Sequence, residues 1–89
     1  MADGSFTLKV VTPTEVFFEG PVVHVLAPGA VGYLGILKDH APFLTTIGKG
    51  DLTFRGPDGI SRTLKVEGGF LEVLKNRVLV LTDKLEAAA

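Results

Sequence analysis

Cysteine is absent from this chain, which excludes a disulfide framework, a thiolate zinc site and a cysteine nucleophile together. Tryptophan is absent as well, and tyrosine occurs once, at position 33. Charge of one sign is missing too: nine basic residues against ten acidic ones leave a formal net charge of −1. Without a basic stripe there is nothing to displace counterions from a phosphate backbone, so nucleic acid is not an expected partner. No apolar run approaches the roughly 18 residues of a membrane-spanning helix. The opening Met-Ala-Asp-Gly-Ser-Phe has neither the basic nor the apolar region of a secretory signal. The expectation is a soluble protein that stays where it is made.

What is present is a dense set of core formers in a short chain. Val, Ile, Leu and Phe number 11, 3, 12 and 6 among 89 residues, enough for one domain but with little apolar surface to spare for a large ligand cavity. The 11 glycines and five prolines cut the first 69 residues into pieces of eight or fewer, too short for ordinary helices. Within the pieces the apolar period is two. Phe6, Leu8 and Val10 share a face opposite Ser5, Thr7 and Lys9; Leu52 and Phe54 alternate with Asp51, Thr53 and Arg55; Leu64 and Val66 alternate with Thr63, Lys65 and Glu67. The Gly56-Pro57-Asp58-Gly59 turn makes the last two runs a hairpin with one wet face.

Further short strands are expected at Glu15 to Phe18 and Val22 to Ala27, separated by Gly20-Pro21, and at Pro42 to Ile47 before Gly48-Lys49-Gly50. From Phe70 onward, FLEVL and RVLVLT flank Lys75-Asn76-Arg77 and read as two strands buried on both faces, with Asn76 supplying a left-handed turn residue. Leu85 to Ala89 switches to helix-forming residues, too few to hold a helix alone. The expected fold is all-β, a sandwich or barrel of eight to ten short strands over residues 1–84, with a tail at 85–89.

Chemistry-bearing patterns are sparse. His24 and His40 lie sixteen residues apart, without the short spacing of a paired metal site, and Asp39 beside His40 does not repair that. Ser5 and Ser61 lack a nucleophile-elbow context, so no catalytic site is expected. Gly32-Tyr33-Leu34-Gly35 has the form of a GxxG nucleic-acid clamp, but no helices flank it, and a bulge or tight bend is the plainer reading. Thr82-Asp83-Lys84 resembles the lysine site of a lipoyl carrier domain, although only five residues follow the lysine where that family has several strands. A free-standing ligand-binding or lipoyl-like carrier sandwich is therefore the alternative from another class. The segment AVGYLGIL remains. It reads either as an exposed apolar docking loop, with Val31, Tyr33 and Leu34 as anchor and Lys38, Asp39 and His40 as polar rim, or as two ordinary strands that fold into the core; periodicity supports both equally.

Three motifs in register carry a resemblance: VVTP at Val10 to Pro13, G-x-x-G-x-x-G-I-L-x-x-H-A-P-x-x-T from Gly29 to Thr45, and GGFLEV from Gly68 to Val73. Together they make the chain, from about Phe6 to Asp83, similar to the N-terminal domain of the epsilon subunit of F-type ATP synthase. The resemblance implies a β-sandwich of two five-stranded sheets, about ten short strands in all, without catalytic residues, metal or cofactor. It implies a central-stalk rotor subunit that binds the gamma subunit and the c-subunit ring and couples proton translocation to ATP synthesis. Membrane association would come only through that complex, at the cytoplasmic face of the bacterial inner membrane. Positions aligned with Thr12, His40 and Thr45 lie near gamma in the family, and the loop aligned with Val31, Tyr33 and Leu34 meets the c ring. The family usually has an acidic residue where this chain has Tyr33, and a proline where it has Lys38. Most members continue into a two-helix hairpin that inhibits ATP hydrolysis and in some binds ATP. This sequence stops at Leu85-Glu86-Ala87-Ala88-Ala89, where the first helix would begin, which fits either a short member or a piece of a longer chain.

Overall fold

The alternation of apolar side chains is realised as eight strands and no helix in a computed structural model that describes residues 4–88. They are β1 (Phe6–Thr12), β2 (Glu15–Val22), β3 (His24–Gly29), β4 (Gly32–Ile36), β5 (Phe43–Thr46), β6 (Lys49–Arg55), β7 (Ser61–Leu74) and β8 (Arg77–Ala87). Their lateral order is β2-β1-β8-β7-β6-β3-β4, with β5 beside β7. Neighbours run antiparallel except β1 and β8, which are parallel from Thr7–Arg77 to Val11–Leu81.

This sheet folds back on itself. Four strand spacings separate β2 from β6, roughly 19 Å in a flat sheet, yet the rings of Phe18 and Phe54 lie 4.7 Å apart. The fold line crosses β7 and β8. Ser61 to Glu67 of β7 pairs with β6, whereas Phe70 to Val73 of the same strand pairs with β5. Between these stretches Gly68 and Gly69 have φ of +78° and +109°, conformations that L side chains rarely adopt. The first layer therefore holds β2, β1, the first half of β8, the second half of β7, and β5. The second holds the other halves of β8 and β7 with β6, β3 and β4. Each layer has five members, so the sandwich of two five-stranded sheets is present, but eight continuous strands build it rather than ten, because β7 and β8 serve both layers.

Side chains of both inner faces meet in one core. Leu8, Val10, Leu71 and Val80 come from the first layer, and Val25, Ile36, Leu52 and Leu64 from the second. Each such burial stabilises the fold by about 1.5–3 kcal/mol. Arg62 closes one end of the core, its guanidinium 5.7 Å from the ring centroids of Phe17, Phe18 and Phe54.

Several boundaries differ from those read in the sequence. Gly20-Pro21 does not end a strand: β2 runs through it to Val22, since β2 is an edge strand and an edge tolerates a proline without an N–H. The helix-forming residues Leu85 to Ala87 are strand, paired with Leu64 to Val66 of β7, because pairing and the packing of Leu85 on the core outweigh propensity. Only Ala89 of the expected tail lies outside the described residues. The final hairpin is buried on one face alone: Leu71, Val73, Val78 and Val80 point inward, while Leu74 remains 47% exposed and Leu79 and Leu81 are half-buried on the outside.

The turn of that hairpin is held from outside. Lys75 and Asn76 have φ of 49° and 61°, and Asp39 has 66°. Asn76 Oδ1 accepts from the Asp39 backbone N–H at 2.7 Å, and Asn76 Nδ2 donates to Asp39 Oδ1 at 3.0 Å. This clasp ties the segment between β4 and β5 to the β7–β8 turn. Asn76→Ala should cost about 2 kcal/mol, from the lost hydrogen bonds and the left-handed backbone together. Asn76→Gly, which keeps the backbone freedom, should cost about 1 kcal/mol. Urea denaturation of the two variants separates the contributions, and equal losses would remove the backbone share.

Candidate functional site

The AVGYLGIL segment is a β-hairpin. β3 and β4 pair from Val25–Ile36 to Gly29–Gly32, with Ala30 and Val31 as its two-residue turn. Strand alternation then sorts the three expected anchors. Leu34 points inward beside Ala27 and packs against the core. Tyr33 faces outward at 56% exposure, with its hydroxyl accepting from the Asp51 N–H at 2.9 Å. Val31, at the tip, is 103% exposed. Two strands thus form, with only Leu34 of the three folding into the core, and the turn between them stays out in solvent.

Thr12, His40 and Thr45 do not form one cluster. Thr12 lies at the β1–β2 turn, its hydroxyl 3.4 Å from the Thr14 hydroxyl and from the Glu15 carbonyl oxygen. His40 lies in the clasped segment, with Nδ1 2.7 Å from the Ala41 carbonyl oxygen and its ring edge-on to Phe43 at 6.1 Å. Thr45 is on edge strand β5; its hydroxyl donates to the Thr46 carbonyl at 3.1 Å and accepts from the Ala30 N–H at 3.4 Å. That bond links β5 to the β3–β4 hairpin tip, so Thr45 and Val31 are neighbours while Thr12 is on the far side of the first layer.

The two outer faces differ in chemistry. On the first layer, pairing sets Thr46, Phe70, Leu81, Val11 and Val16 side by side in one row. The adjacent row is Leu44, Glu72, Leu79, Lys9 and Glu19, and beyond it Leu74 sits opposite Arg77. Leu44 is 65% exposed, and Val16 is also exposed. Of this face, burial is expected from the sequence only for the apolar residues of FLEVL and RVLVLT, and there Leu74 is exposed and Leu79 and Leu81 are half-buried, because those runs carry apolar character on both sides of the strands. On the second layer the registers place Lys49, Glu67 and Lys84 in one row and Asp51, Lys65 and Glu86 in the next. Every neighbour across or along the strands has the opposite sign, and the six charges sum to zero.

Lys84 is thus a mid-strand residue on this charge-balanced face, not the tip of a hairpin as a swinging lipoyl arm requires. Among the described residues no three His, Asp or Glu side chains gather as a metal-binding group. No helix among them is long and apolar enough to cross a membrane.

Fold and surface together define a sandwich with one outer face that exposes Val16, Leu44 and Leu74 among scattered charges, one charge-balanced outer face and an uncharged hairpin. The chain belongs to the ATP synthase Delta/Epsilon chain β-sandwich domain family, which it matches over residues 5–88. It is 38% identical to the ATP synthase epsilon chain of Chlorobaculum tepidum over 84 residues, 94% of this chain and 96% of that one. It is 36% identical to the epsilon chain of Syntrophomonas wolfei over 86 residues, 97% of this chain but only 63% of that longer relative. The epsilon chain is a structural and regulatory subunit of ATP synthase rather than a catalytic one. The fold superposes on a chain of the Euglena gracilis mitochondrial ATP synthase structure described as OSCP/F1/c-ring with a TM-score of 0.88 at 20% identity, covering 93% of this chain and 53% of that one. A chain of the Tetrahymena thermophila central stalk and c-ring structure gives 0.79 at 17% identity, covering 91% and 65%.

Proposed function

We propose that this chain is a central-stalk rotor subunit of an F-type ATP synthase, binding the gamma subunit through the outer face of its first layer and the c ring through the β3–β4 hairpin. In this role it couples proton translocation to ATP synthesis without catalysing either, peripherally on the cytoplasmic face of a bacterial inner membrane. The observation that carries the reading is the set of apolar side chains exposed on the outer face of the first layer, Val16, Leu44 and Leu74, which a solitary domain would leave in water. Thr12 and His40 stand at opposite ends of that face as gamma contacts. Thr45 supports the same assembly from the edge, through its bond to the hairpin.

Coexpression with gamma and the c ring tests this directly. A tagged chain should copurify with both. Recovery with neither, or a mass adduct on Lys84, would favour the free-standing carrier instead. The hairpin from Pro28 to Leu37 contains no charged residue, so docking on the ring should change less than about threefold between 50 and 500 mM salt. A steep loss of ring binding over that range would point to charged contacts elsewhere on the domain.

A further inference from the structure

The outward Tyr33 is placed in a manner that a surface contact does not need. The β3–β6 ladder ends at Leu26–Thr53, and beyond it the Asp51 N–H is met by the Tyr33 hydroxyl instead of by a strand. To reach it, the side chain crosses from β4 past β3 to β6. Its path runs over Gly50: a Cβ built there would overlap the hydroxyl, stand 3.2 Å from Tyr33 Cζ and 3.1 Å from Pro28 Cβ. The Gly50 backbone has no positive φ that would itself call for glycine. Its missing side chain is the notch in which the tyrosine end rests.

We infer that Tyr33 is a positioning residue, a strut seated in the Gly50 notch that fixes β4 against β6 and holds the hairpin tip in the orientation in which Val31 meets its partner. The inference rests on the ring-docking reading above and assigns the contact to Val31 rather than to the tyrosine. The tip and its flanks from Pro28 to Leu37 offer no charge, so the contact this hairpin can make with the ring rests on shape and on the area of one branched side chain rather than on charge pairing.

Tyr33 is the only tyrosine and there is no tryptophan, so intrinsic fluorescence and the Asp51 amide report on the strut without any partner. In the full chain, Tyr33→Phe should speed Asp51 amide hydrogen exchange roughly fivefold, the factor one hydrogen bond is worth. Gly50→Ala should displace the ring, shift the tyrosine emission and speed the same amide. Both variants should weaken binding to purified c ring carrying gamma, although neither alters the tip. Val31→Ser should weaken binding roughly tenfold while leaving emission and exchange unchanged. Unchanged Asp51 exchange in Tyr33→Phe would overturn the strut. Faster exchange with undiminished ring binding in Gly50→Ala would overturn its positioning role. Absence of ring binding by the unaltered chain, with the exchange response intact, would instead refute the docking reading.

Discussion

Gly69→Ala is expected to lower stability by about 3 kcal/mol or more, a large share of what a domain of this size holds. At φ +109° an L side chain is strained by itself. In addition, the new Cβ would overlap the Leu81 carbonyl oxygen and stand 2.8 Å from the Thr82 Cα. Those are backbone atoms of the paired strand and cannot swing aside. Gly68→Ala faces a milder obstacle, since its Cβ would meet the Asp83 carboxylate, 2.7 Å away at Oδ2, and that side chain can rotate into water. Its cost should be about 1 kcal/mol. Thermal unfolding should separate the two by roughly 8–16 °C. Equal losses would mean that the strand pair can part at the fold line to admit a side chain.

The double variant Leu44→Lys, Leu74→Glu is expected to weaken gamma binding about 100-fold or more while leaving the fold nearly untouched. The substitutions are chosen by register: Leu44 is opposite Glu72, and Leu74 is opposite Arg77, so each new charge faces one of opposite sign across the strands. Stability should therefore move by less than about 1 kcal/mol. The apolar area offered to a partner disappears, and two charges must be stripped of water on docking. Titration against gamma, with a melting curve as control, gives the result. Unimpaired binding would remove the outer face of the first layer as the gamma site.

Much of this fold could be read from alternation. Phe6, Leu8 and Val10, the Leu52–Phe54 and Leu64–Val66 pairs, and the Asn76 turn all stand where period two and turn chemistry place them. Strand continuity could not be read that way. Gly68-Gly69 looks like a break in sequence, but a glycine pair that lets one strand cross between layers has the same spelling as one that ends it. Leu85 to Ala87 carry helix propensity that pairing with β7 overrides. Leu74, Leu79 and Leu81 looked buried because apolar character, not coverage, is what a sequence records. The candidate site was legible as a segment, Gly29 to Thr45, but not in its division of labour. That Leu34 packs inward and Tyr33 reaches Asp51 depends on which strand lies next to β3, and nothing local specifies that.

The two strands that cross the fold line also bear on how the domain carries mechanical load. In a sandwich whose layers meet only through side chains, shear between them is resisted by packing, which yields by small sliding steps. Here β7 and β8 are covalent members of both layers and remain paired with each other from Leu64–Ala87 to Leu74–Arg77. A twisting force applied at the β3–β4 hairpin reaches the opposite layer along two continuous backbones, and can slip only by breaking their ladder. Rotation of one layer relative to the other is thereby stiffened without any larger core, so that a small domain can turn as a single rigid piece.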